Sequence, residues 1–183
     1  MRRLLVLSAL ALSLSGCSDP CADDVAPWIE VGDGTHGFTS IEDGAVLAVE
    51  RGSQGGQHVW AAVLAGGLHP GSPDITEGLR NDDLPWIEFQ LESAEGVHSN
   101  ENLLRRPLDP IGDHHGLETR QVPFRHWPVL PDDWAEQDIG EREAHLETVD
   151  FTLRVIIDDA CGDTLTDERT VRLDFPAREE ETG

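Results

Sequence analysis

Residues 149–175 constrain the fold more than any other stretch. Phe151, Leu153, Val155 and Ile157 alternate with Thr152 and Arg154, and after a polar turn at 158–163 Val171, Leu173 and Phe175 alternate with Thr170, Arg172 and Asp174. A period of two marks strands with one buried and one wet face, and the Gly-containing turn joins them as an antiparallel hairpin. A two-stranded hairpin is not stable in water by itself, so the preceding chain must supply strands that cover its apolar face.

The preceding chain offers them. Short apolar runs at 27–31, 38–41 and 45–50 are separated by Gly32-Asp33-Gly34 and Glu42-Asp43-Gly44, which are turn signals. Between two glycine pairs, residues 59–64 are apolar on both faces, Val59, Ala61 and Val63 against Trp60, Ala62 and Leu64, as expected of a central strand. A polar loop over 69–84 leads to Ile87, Phe89 and Leu91 alternating with Glu88, Gln90 and Glu92. Residues 100–131 carry prolines at 107, 110, 123, 128 and 131, and here the expectation is edge strands near Leu103-Leu104 and over 118–124, because proline cannot donate to a ladder. Residues 132–146 read as one short helix or a crossover loop.

Many short strands, regular turns and little helical periodicity predict an all-β fold, a single antiparallel β-sandwich with long irregular loops. The closing pattern, a long strand, the turn Asp159-Ala160-Cys161-Gly162 and then Arg169-Thr170-Val171-Arg172-Leu173, resembles the final hairpin of Ig-like or fibronectin-type domains in bacterial surface lipoproteins. The chain lacks the paired strand cysteines of antibody domains.

The first residues, Met1-Arg2-Arg3 and then an apolar run from Leu4 to Leu14, fall short of the roughly 20 apolar residues of a membrane span and read as a signal peptide. The run closes on Leu14-Ser15-Gly16-Cys17, which resembles the lipobox of bacterial lipoproteins. That resemblance implies cleavage before Cys17, a thioether-linked diacylglyceryl group with palmitate-like chains on its sulfur, and an acylated amino group. Lipidation of this kind anchors a protein in the cell envelope, and Ser18 rather than Asp after the cysteine resembles sorting to the outer membrane more than to the inner. The bland alternative is an ordinary cleaved leader with Cys17 a free thiol. The chain thus divides into a leader at 1–16, a tether at 17–26, a sandwich at 27–176 and a disordered acidic tail at 177–183.

Once Cys17 is set aside, Cys21 and Cys161 remain. In an exported chain the default for two thiols is one disulfide, the alternative being two separate thiols. The bridge would bring the final hairpin's turn within roughly 15 Å of the anchor, since an extended residue reaches about 3.6 Å. Six aspartates, at 19, 23, 24, 158, 159 and 163, would then crowd one end of the sandwich.

Thirteen basic residues against 36 acidic ones give a formal charge of −23, which becomes −25 when Arg2 and Arg3 leave with the leader. Such a surface repels phosphates, so no nucleic-acid partner is expected. For chemistry, Asp113-His114-His115 with His126 is the best metal-like cluster, and the adjacent histidines could share an ion only from a loop, because neighbours on a strand point to opposite faces. His58 follows a glycine pair that more simply permits a turn. No Gly-x-Ser-x-Gly elbow, His-Glu-x-x-His or EF-hand loop is present. Trp127 and Trp134 are expected nearest the surface. The expectation is therefore a membrane-anchored, non-enzymatic binding or structural module without cofactor, with a protein or glycan partner. The alternative is a metal-binding or hydrolytic envelope protein using loop histidines.

Overall fold

A computed structural model describes residues 21, 25–51, 57–71, 83–99, 103–126 and 139–176. Within these, the chain forms β1 (Trp28–Asp33), β2 (Thr39–Ser40), β3 (Ala45–Ala48), β4 (Glu50–Arg51), β5 (Gln57–Gly66), β6 (Trp86–Ser93), β7 (Val97–Ser99), β8 (Leu103–Arg105), β9 (Asp109–Ile111), β10 (His114–His126), α1 (Ile139–Leu146), β11 (Phe151–Asp158) and β12 (Thr164–Asp174). The strands build two packed sheets, an all-β sandwich with no barrel closure. The first layer runs β2-β1-β5-β10, with β4 on β5 and β9 on β10. The second runs β7-β6-β11-β12-β3, with β8 on β6.

The closing hairpin pairs in register from Phe151 opposite Val171 to Asp158 opposite Thr164, and β11 pairs on its other side with β6. Phe151, Leu153, Val155 and Ile157 are all buried, and they meet Ile87, Phe89 and Leu91 from β6 and Val31, Val59, Ala61, Val63 and Ala65 from the first layer in one core. The outer face of the hairpin is a charge ladder. Arg154 donates to Glu168, Gln90 and Glu92, and the Glu168 hydrogen bond is the main reason its guanidinium pKa is raised above the ordinary value.

β5 is the central strand, flanked by β1 and β10. The edge-strand expectation for 118–124 holds: those residues lie inside β10, which at the end of the first layer pairs with β5 on one side through Pro123 and then with β7 from Phe124 onward. Proline is tolerated because it stands where the strand leaves one sheet for the other. The expected edge strand at Leu103-Leu104 is β8, paired with β6. The stretch expected as a strand at 38–41 shortens to Thr39–Ser40.

One correction concerns direction, because the sandwich is not wholly antiparallel. β3 lies parallel to β12, with Leu47 opposite Leu173. The chain crosses from β2 in the first layer to β3 in the second, then returns to the first as β4 after one residue, Val49, which is buried and donates its N–H to the Asp174 carbonyl. Two polar side chains bind the layers where β12 faces β1. The Val31 N–H donates to Asp167 Oδ2 at 2.8 Å, and Arg169 donates to Asp167 at 2.6 Å and to the Ile41 carbonyl. A charged residue turned toward a free strand edge occupies the N–H groups that another chain would otherwise pair with.

Candidate functional site

The two ends of the sandwich hold the chemically distinctive groups. At one end Cys21 and Cys161 form a disulfide with Cα atoms 5.5 Å apart. It joins the start of the described chain to the turn between β11 and β12, where Gly162 takes the positive φ of +91° that a tight turn asks of glycine. Asp159 organises this turn. Its Oδ1 accepts the backbone N–H groups of Cys161 and Asp163, both at 2.9 Å, and its Oδ2 accepts the N–H of His69 at 3.1 Å. The buried carboxylate thus ties the hairpin turn to the segment that follows β5. His69 Nδ1 in turn accepts the Gly71 N–H, and its Nε2 lies 3.6 Å from Asp83. A small open cleft lies between Cys21, Val25, Pro27, His69, Asp159 and Cys161.

Because both Asp159 oxygens accept, an amide cannot replace the carboxylate: one of its two polar atoms would face a backbone donor with a donor of its own. Asp159→Asn should therefore cost about 2 kcal/mol, close to the cost of Asp159→Ala. Urea unfolding of both variants measures this, and a loss for Asn well below that for Ala would contradict it.

Three aromatic or apolar groups stand at the same end. Trp86 is 38 % exposed and carries the Arg105 guanidinium 4.6 Å above its ring, a cation–π pair. Val25 is 60 % exposed. Trp28 lies over Gly66, where a Cβ would come within 2.5 Å of its Nε1, and its ring meets His114 edge-on at 5.1 Å.

At the opposite end α1 closes the core. Glu143 is buried on the helix, and its carboxylate accepts from Arg51 and from Gln57, each at 2.7 Å. Glu147 accepts the Phe175 N–H, and His145 bonds Glu95 at 2.8 Å. His58 is 5 % exposed, lies edge-on to Trp60 at 5.5 Å and stands 3.5 Å from Glu50.

The histidine cluster does not have the geometry the sequence suggested. His114 and His115 are not on a loop: both lie in β10, opposite Ile111 and Pro110, so they point to opposite faces. Among the described residues no three His, Cys, Asp or Glu side chains converge as a metal site. Cys17, Trp127 and Trp134 lie outside the described residues.

No family model and no curated protein matches this sequence. What the chain does must be argued from its own groups. Sequence reasoning identified the cysteines but not Asp159 or Glu143. A signal existed for the second: positions 139, 143 and 146 share one helical face, and Leu146 on that face is wholly buried, so a glutamate there needs partners.

Proposed function

We propose that this chain is an exported, lipid-anchored lipoprotein of the cell envelope, with Cys17 as the acylated residue and the sandwich as a non-enzymatic binding or structural module. The disulfide carries the reading. A bridge between Cys21 and Cys161 is what an oxidising compartment favours, and it lies only four residues beyond the lipobox-like Leu14-Ser15-Gly16-Cys17. The closing hairpin supports the finer likeness to Ig-like domains of surface lipoproteins. The histidine alternative gains no support, since His114 packs on Trp28 and its neighbour faces the other way. Residence in the outer membrane rests on Ser18 alone.

Mass spectrometry of detergent-extracted protein tests the anchor. The expected N-terminal peptide begins at Cys17 and carries a diacylglyceryl thioether and an amide-linked acyl chain. An unmodified peptide beginning at Cys17, or a start further on, would defeat the proposal.

A further inference from the structure

We propose that the end of the sandwich bearing the disulfide is a membrane-contact surface, with Val25 and Trp86 resting in the headgroup layer of a zwitterionic bilayer. This rests on the lipoprotein reading above and adds which face of the domain meets the lipid. The tether sets the geometry. Only Ser18, Asp19 and Pro20 separate Cys17 from Cys21, so four extended steps put their Cα atoms at most about 15 Å apart. The disulfide adds 5.5 Å to reach Cys161. β11 has eight residues, a length of roughly 25 Å at the usual strand rise. The tether is thus shorter than the sandwich is tall, and the end carrying α1 cannot replace the disulfide end at the bilayer.

What this end exposes suits that position. Among the described residues the exposed large apolar side chains are Val25, Val46 and Trp86, and two of the three are here. Trp86 stands opposite Asp158 at the start of β6, with Val25 lining the cleft beside the disulfide. A tryptophan with a guanidinium across its ring is amphipathic: an indole for the acyl boundary and a cation for phosphate oxygens. Asp158 stands opposite Trp86, Asp163 lines the cleft with Val25, and Asp83 lies beside His69 of that cleft; all three are exposed and oppose an anionic surface, so the lipid that fits has no net charge.

The test uses the native, membrane-extracted protein reconstituted in phosphatidylcholine vesicles whose acyl chains are brominated near the headgroup, with tryptophan emission as readout. Wild-type emission should be quenched. Trp86→Phe should roughly halve the quenched signal, because Trp28 stands at the same end and remains. Val25→Asp, at a site too exposed to disturb the core, should also weaken it. Adding phosphatidylglycerol should reduce quenching at low salt, and sodium chloride should restore it. Equal quenching in wild type and both variants, or none in any, overturns the surface. Stronger quenching on anionic vesicles overturns the choice of lipid. The mass of the N-terminal peptide separates the two readings. Acylated Cys17 without Trp86-dependent quenching removes only the contact surface, whereas unmodified Cys17 removes both.

Discussion

Cys161→Ser should lower the melting temperature by roughly 5 to 15 °C, which is about 2–4 kcal/mol for a chain of this size. The bridge closes a loop with 140 residues of sequence separation. In the chain-entropy account a loop that long restrains the unfolded chain by about 5 kcal/mol, and measured values usually fall below that limit. The folded state loses little in compensation, because Asp159 still holds the turn through three backbone N–H groups. Cys21→Ser should match Cys161→Ser, and the double variant should add nothing, since either change breaks the same bond. Scanning calorimetry with and without reductant checks this. A wild-type transition unmoved by reductant, together with an unmoved Cys161→Ser transition, contradicts it.

Glu143→Leu should destabilise by about 3 kcal/mol, through a different mechanism. The carboxylate is buried between Arg51 and Gln57, and truncating it takes an acceptor from a cation and an amide at once. Arg51 keeps 30 % of its side chain exposed, so water recovers part of its solvation and the loss falls at the low end for a broken buried pair. The double variant Arg51→Met with Glu143→Leu should regain most of that stability, because an apolar pair of similar volume avoids the desolvation of both charges. Urea titrations of the three variants test the cycle. A neutral Glu143→Leu, or a double variant no better than the single, would show that the pair does not hold α1 in place.

The hairpin was legible because every second residue of β11 is apolar and faces the core, a pattern that β12 repeats at Val171 and Leu173. β5 was legible for the opposite reason, being apolar on both faces between glycine pairs. β10 was legible only in part. Proline, glycine and paired histidines interrupt its alternation, and a bulge between Leu117 and Arg120 shifts its register, so loop chemistry masked a strand that bridges both sheets. The parallel β3 was hidden for a related reason: four residues show alternation but not direction, which the crossover decides. At the candidate sites the cysteines announced themselves by compartment logic. Asp167 and Asp159 did not, because an acidic residue in a strand or turn looks solvated until the backbone N–H it binds is known.

The disulfide also decides how the molecule would bear a mechanical load. A pull on the N-terminus arrives at Cys21 and passes across the sulfurs to Cys161, in the turn between β11 and β12, without first travelling through β1 to β10. The force then runs along β11 and β12, whose eight paired positions are loaded in shear together. β1 stays slack and is not peeled from β5 one bond at a time. A domain moored in this way resists tugging through its best-packed hairpin, and reducing one bond would move the strain to its first strand.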